Sequence, residues 1–503
     1  MKKLFVLIFI LLALILSACT YDVACDPLDL IKKIKRANRL SSSDTLELAQ
    51  GCIYDLNWIQ DITNRYNGLP VIKSSIIING NGSTIQRALF ADHFRIFQIE
   101  QRNKLTLNDL TIQNGYADGD EDSDLADTGG GILNFGILHL DSVIITRNHA
   151  GFVGGIYNAS TGSIRMYRST ISHNNADRLT NGLFNTGKGS IGIYESTIRE
   201  NGFIHNVDAI FNNGLLRIEN STISNNAGIG IKNYKDSDGI ASLSLENVTF
   251  SDNMIALNSN TEVFSLKNTL FGPHSFITCS SSTTFYELGV NIDTDGSCNI
   301  TTVSPDNLKL GPLSYNGGPT KTHQLGFGSL AIDAAIWPCP GTDQRGVHRP
   351  QHGGCDVGSY EYDGSIVMPV QEHECTYTAL TNLFCRMGPG ISLYPEIDSF
   401  TSGQQSQVIG ISPDGDYVQV VGGANQLPCY VPKEVQFGEL SGSCSDLPVL
   451  DPPEIPEVKE DQPNDKPDDE SVSGCKVLQD DGSVKCFAPC PVGIKSEGPC
   501  TIP

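Results

Sequence analysis

Apolar residues recur through the middle of the chain in pairs five positions apart: Leu140/Ile145, Met166/Ile171, Ile193/Ile198, Ile218/Ile223 and Leu245/Phe250. Polar residues alternate with them, as in MYRSTISHNN (Met166 to Asn175), IYESTIRENG (Ile193 to Gly202) and IENSTISNNA (Ile218 to Ala227). Such alternation sends one side of each segment into a core and the other to solvent, which is a strand pattern. Each unit ends on an asparagine, Asn148, Asn174, Asn201, Asn226 and Asn253, at steps of 26, 27, 25 and 27 residues. A second series runs out of phase: Asn134, Asn158, Asn185, Asn212 and Asn233. Two phase-locked series with short strands between them predict a parallel solenoid, whose coils stack at about 4.8 Å so that like residues form columns. Parallel crossovers are right-handed, so the expected fold class is all-β, a right-handed parallel β-helix. A β-sandwich would need regular hairpin signals, which are lacking. The asparagines are expected at corners, in left-handed turn conformations and hydrogen-bonded to their stacked neighbours.

End coils expose strand edges and need caps. DPLDLIKKIKRANR (Asp26 to Arg39) predicts an N-terminal helical cap. Asp26 suits the N-cap and Pro27 the first turn, with Leu28, Ile31 and Ile34 on one face. A Cys25–Cys52 disulfide would tie this cap to the first coil, which contains TLELA (Thr45 to Ala49).

NGLPVIKSSIIINGNGSTIQR (Asn67 to Arg87), GGGILN-type motifs and STIxxN repeats resemble the exported right-handed β-helix proteins related to polymorphic outer membrane proteins, of pectin-lyase-like type. LGPLSYNGGPTKTHQLGFGSLAIDAA (Leu310 to Ala335) and CPGTDQRGVHRPQHGGCDVGSYEY (Cys339 to Tyr362) resemble the choice-of-anchor Q segment that ends such helices. The resemblance implies a surface-exposed helix over 25–305 and a closing segment over 306–362, in a family whose molecular activity is mostly unassigned. Further on, CTYTALTNLFCRMGPGISLYPEI (Cys375 to Ile397), GDYVQVV and CYVPKEVQF resemble a bacterial SH3-like domain over 375–446, with Gly388 and Gly390 in its tight turn. Such domains often bind cell-wall peptides.

The termini add the compartment. Lys2 and Lys3, an apolar run from Leu4 to Leu16, and Leu16-Ser17-Ala18-Cys19 form a secretory signal over 1–18. The cysteine after Leu-Ser-Ala resembles the bacterial lipobox, which implies lipidation at Cys19 and tethering to the outer face of a bacterial membrane. The thirteen-residue apolar core is short for a membrane span. Of 15 Cys, removing Cys19 leaves fourteen, an even number for an oxidising compartment. Expected disulfides are Cys25–Cys52, Cys279–Cys298 and Cys339–Cys355. Among Cys375, Cys385, Cys429 and Cys444 the expected pairs are Cys375–Cys444 and Cys385–Cys429, although spacing leaves the connectivity open. It is open too for Cys475, Cys486, Cys490 and Cys500 in a Cys-rich knob over 474–503. Before that knob lies an acidic Pro-rich linker over 447–473. Between Asp451 and Glu470 it carries nine acidic residues against two lysines, so it repels itself and extends.

A formal net charge of -23 excludes nucleic acid as a partner. In a stacked helix, residues of equal phase line up. One position before the first asparagine series stand Arg147, His173, Glu200, Asn225 and Asp252; one earlier still stand Thr146, Ser172, Arg199, Ser224 and Ser251. Arg147, His173, Arg199 and Glu200 are therefore candidate acid/base residues, in a column otherwise expected to be a solvated turn. A β-eliminating lyase needs a base and cationic help for a carboxylate, and a hydrolase needs two carboxylates about 5–10 Å apart. Glu200 and Asp252, two coils apart, fall near 9.6 Å, at the edge of that window. The insertion ADGDEDSDLAD (Ala117 to Asp127) lacks the glycine and distal glutamate of a calcium loop, and the Cys486/Cys490 spacing is not that of a zinc site; no metal and no cofactor are expected. Asp343 and Arg345 in TDQRG are expected to be a structural ion pair. The expectation is a lipid-anchored, extracytoplasmic binding protein whose partners are the bilayer, polysaccharide or peptidoglycan. A polysaccharide lyase or hydrolase acting on acidic glycans is the alternative.

Overall fold

The computed structural model describes residues 19–364, apart from 40–42, 65, 119–124, 203–206, 238, 261–263 and 281–285. Beyond these it describes 375–444, apart from 387–395, 413–414, 422–427, 435 and 442–443, and three short strands between 473 and 501. The expected signal peptide, the Gly388/Gly390 turn, the acidic linker up to 472 and the side chains of the last four cysteines lie outside the described residues. The chain divides into two compact units, Met1–Glu372 and His373–Pro503.

The first unit is a parallel β-helix. Ile145, Ile171, Ile198, Ile223 and Phe250 are register partners on successive coils, and all are buried without exposure. Leu140, Met166, Ile193, Ile218 and Leu245 form the parallel column on the other side of the bend. The described strands form a long sheet of seventeen, a second of eight and a third of three, all parallel. Because every coil donates apolar side chains inward at the same positions, the core is one continuous stack of like layers.

Both asparagine series are buried amide ladders. Asn148, Asn174 and Asn201 each donate Nδ2 to Oδ1 of the next member, at 3.0, 3.1 and 3.1 Å, and Asn226 to Asn253 at 2.8 Å. Asn134, Asn158, Asn185 and Asn212 do the same toward Asn233, at 2.7–2.8 Å. One expectation needs correction. The ladder asparagines do not take the left-handed conformation; the residues just before them do, Arg147, His173, Glu200, Asn225 and Asp252 at φ 53–57°. The sharp turn sits one residue earlier, so the asparagine side chain passes beneath the corner and satisfies its backbone, as Asn201 does for the Asn174 N–H at 3.1 Å.

The helical cap spans Pro27–Ala37, with Asp26 accepting from the Leu28 N–H at 2.9 Å. Its buried residues are Leu30, Ile31, Ile34 and Ala37, whereas Leu28 is 49% exposed. Ile31 and Ile34 thus lie on the expected face, but Leu28, in the first turn, does not; Leu30 and Ala37 complete the buried side. A strand ahead of the helix, Thr20–Val23, pairs in parallel with Asp44–Leu48 and covers the edge of the first coil.

At the other end, Leu310–Ser314 and Thr322–Leu325 form an antiparallel pair. The segment through Tyr362 does more than close the last coil. Leu308, Leu325, Ala331, Val357 and Tyr360 bury Leu270 and Ile292, but the same segment also lies along the flank of the solenoid. Thr197 donates to the Lys321 carbonyl at 2.7 Å, Thr222 to Gln344 at 2.7 Å and Asn220 to the Thr342 carbonyl at 2.7 Å. Ser359 N–H donates to Thr249 at 2.9 Å. Asp343 and Arg345 lie beneath this docking at 2.8 Å, 0% and 2% exposed, with the guanidinium 3.6 Å from the Tyr360 ring. The disulfides Cys25–Cys52, Cys279–Cys298 and Cys339–Cys355 staple the cap, the last coils and the closing segment.

The second unit is a small antiparallel β structure of seven described strands around Tyr377, Phe400, Val408, Val418, Val420 and Val431. Cys375–Cys444 and Cys385–Cys429 cross it. Five disulfides fit an exported protein.

Candidate functional site

The turn column is the first place to look for chemistry. The strand before each corner ends in a polar residue, and the left-handed corner turns the next side chain outward. Ser172 is the register partner of both Thr146 and Arg199, and Ser224 follows Arg199 on the next coil. The corners are tied one to the next, His173 N–H to the Glu200 carbonyl at 3.0 Å and Glu200 N–H to the Ser224 carbonyl at 3.2 Å. The stacking thereby brings Arg147, His173, Arg199 and Glu200 onto one ridge.

Their contacts are specific. Glu200 Oε2 lies 3.2 Å from His173 Nε2 and also receives the Arg199 guanidinium. Burial, then Arg199, Arg147 and Lys321, drive the His173 pKa down to about 3. The imidazole is therefore neutral near neutral pH, with the Glu200 carboxylate beside it. Burial and Arg199 also lower the Arg147 pKa. Among the described residues, no carboxylate or other acceptor meets the Arg147 side chain. Three cations, Arg147, Arg199 and Lys321, thus crowd the His173 imidazole on a chain of net charge -23, and Arg199 is the one that meets Glu200.

Lys321 comes from the closing segment, and sequence spacing did not place it there. Its neighbour His323 was missed for the same reason. His323 Nδ1 is 2.7 Å from the Gly311 carbonyl and Nε2 is 2.8 Å from Ser224 Oγ. A carbonyl only accepts, so Nδ1 carries the proton and Nε2 accepts from the serine. The pair has the hydrogen bond of an activated nucleophile, but Ser224 is 0% and His323 1% exposed, so no substrate reaches it. It fastens the closing segment to the coil. The only signal in the sequence was the THQL stretch itself, 99 residues from its partner.

The remaining candidates separate. Asn225 stands on the coil between Glu200 and Asp252, and Asp252 is engaged by Ser251 at 2.9 Å. In the acidic insertion, Asp118 meets His93 at 2.7 Å and Asp127 meets Arg178; residues 119–124 lie outside the described residues. Among the described residues no group of three or more His, Cys, Asp or Glu gathers as metal ligands. Cys19 sits at the base of the solenoid, its N–H donating to Asp44 at 3.0 Å and its carbonyl accepting from Thr45 at 2.8 Å.

No family model and no curated protein matches the chain. Among solved structures, the chain is similar to one titled "Crystal structure of pectate lyase Pel9A", at 13% identity and a TM-score of 0.46, covering 69% of this chain and 97% of that one. So distant a likeness carries no argument about reaction or substrate, and the parallel β-helix rests on the strand register described above.

Proposed function

We propose that this is an exported, lipid-anchored surface protein whose β-helix binds acidic glycan. The observation that carries the reading is the ridge on which Arg147, Arg199 and Lys321 crowd His173, with Glu200 the carboxylate that His173 and Arg199 share. Excess positive charge in a half-buried patch of a strongly acidic protein suits a sparse carboxylate better than a dense phosphate chain. The same electrostatics argue against catalysis. A base held near pKa 3 is too weak to take a sugar proton at neutral pH, and Glu200 is already shared between two partners. The tether would be Cys19, the closing segment the choice-of-anchor Q-like part, and the SH3-like unit a contact with peptidoglycan.

A glycan-binding screen run alongside a reducing-end assay tests this. Expected is binding of polyuronates without release of reducing ends, weakened about tenfold by Arg147→Ser, the magnitude of one charge-assisted hydrogen bond. Chain cleavage that disappears in Glu200→Gln or Arg199→Ala would replace this reading with a polysaccharide lyase.

A further inference from the structure

The outer face of the long sheet holds a second feature that the turn column does not use. Over four coils serine and glycine supply most of the outward residues in two rows where the strands Ser163–Tyr167, Ser190–Tyr194, Leu215–Ser224 and Ser242–Ser251 run side by side. Ser163, Ser190, Leu215 and Ser242 form one row, and Arg165, Gly192, Arg217 and Ser244 form the next. Together they floor an open trough with a cavity volume of about 330 Å³, at the lower end of the range for ligand sites. Three steps of coil spacing make it about 14 Å long, running parallel to the helix axis.

Gly192 shapes the trough. A Cβ there would lie 2.8 Å from the Tyr194 ring, so the glycine lets that ring lean back along its own strand. Tyr194 is braced by Tyr167, centroids 4.8 Å apart and planes at 14°. Among the described residues its hydroxyl meets no partner.

The charges on the two sides differ. Along the edge beside the tyrosines they are matched: Arg168 with Asp141 and Glu195, Arg217 with Glu219 at 2.8 Å and Glu246 at 3.2 Å, Lys267 with Glu246 at 2.8 Å. At the N-terminal end of the trough they are not. Lys104, His139 and Arg165 lie on three consecutive coils, and among the described residues none of them meets an acceptor. They are close enough that, after burial, Lys104 and Arg165 both depress the His139 pKa.

We propose that this trough takes a carboxylated polysaccharide lying along the helix axis, its hydroxyls over the serine floor, one ring edge against Tyr194 and a carboxylate at Arg165. The ligand is polymeric because the trough is open along the axis. It is not an added peptide strand, because this is a sheet face whose backbone groups are already used in the ladder. Nor is it a nucleic acid, whose charge density the net charge of -23 opposes. The proposal rests on the glycan-binding reading above but uses different residues.

The test is calorimetric titration of the full chain with tetragalacturonate and with its carboxyl-reduced neutral counterpart, comparing Arg165→Ser, Gly192→Val and Arg147→Ser. Gly192 is not in the left-handed region and faces outward on a strand, so valine displaces Tyr194 without straining the backbone. Expected is binding of the acidic oligomer that weakens about tenfold in both trough variants, with unchanged melting temperature, and that is lost with the neutral oligomer. If the wild-type chain binds the uronate and both trough variants bind it equally well, the trough assignment is wrong while the glycan reading survives. If the wild-type chain binds no acidic oligomer, the glycan reading itself falls. Equal binding of the neutral oligomer would overturn the acidic class.

Discussion

Two asparagines on successive corners show how much hangs on a single position. Asn201 accepts from the Asn174 N–H and side chain, and donates to the Ile171 and Arg199 carbonyls and to Asn226, all at 3.0–3.1 Å and fully buried. Asn201→Ala would strand several of these groups away from water, and a loss of roughly 2–4 kcal/mol is expected in denaturant unfolding. Asn225 takes no part in a ladder; its φ of 57° is what matters. Asn225→Gly should therefore be nearly neutral, and Asn225→Val should cost roughly 1–2 kcal/mol, because a β-branched side chain is disfavoured there. If both asparagines tolerate alanine equally, the ladder is not the stabilising element described here. The repeat spacing located these columns in the sequence. It did not say which asparagine of a pair turns inward, because a one-residue shift of a corner leaves the period unchanged.

At the scale of elements, the closing segment is the least expected part of the fold. Its docking uses outward threonines, serines and asparagines whose positions on the coils are indistinguishable in sequence from a solvated turn, matched with partners about 100 residues away. Local pattern could find each half but not their pairing. The docking also gives a pH dependence. Burial lowers the His323 pKa below its unfolded value of about 6.5. As pH falls below that value the unfolded chain gains a proton that the folded chain refuses, so stability is lost on acidification. His173 and His274, at about 3 and 4, act in the same sense. Asp208 and Asp356, raised to about 7, act in the opposite sense, losing stability as pH rises through roughly 4–7. The contribution of His323 is isolated by comparison: between pH 6.5 and 5, stability of His323→Gln should fall less steeply than that of the wild-type chain. Parallel slopes would mean that burial leaves the imidazole as easily protonated in the fold as in the unfolded chain.

For the whole molecule, the proposed anchor sits at an informative place. The backbone of Cys19 is hydrogen-bonded into the first coil, so a lipid on that residue would hold the base of the solenoid against the membrane, with the coils rising from it. Cys19→Ser is expected to move the protein from the membrane fraction to the soluble extract without altering its melting temperature; retention in the membrane would exclude lipidation at this residue. The fold class was readable in the sequence because each coil repeats the same instructions. The candidate ridge was readable in part, since Arg147, His173 and Glu200 share a phase and Arg199 stands one position before it, while Lys321 entered from a segment whose docking no period describes.

The side-chain amides of both ladders are oriented alike, each nitrogen toward the next coil and each oxygen toward the previous one. Their small dipoles add head to tail instead of cancelling, as alternating strand dipoles do. Each ladder is thereby polar along its own length, its amide-nitrogen end toward the later coils. A charged chain laid along the ladders would meet unequal ends, so its two orientations would differ in energy even where every groove residue is the same.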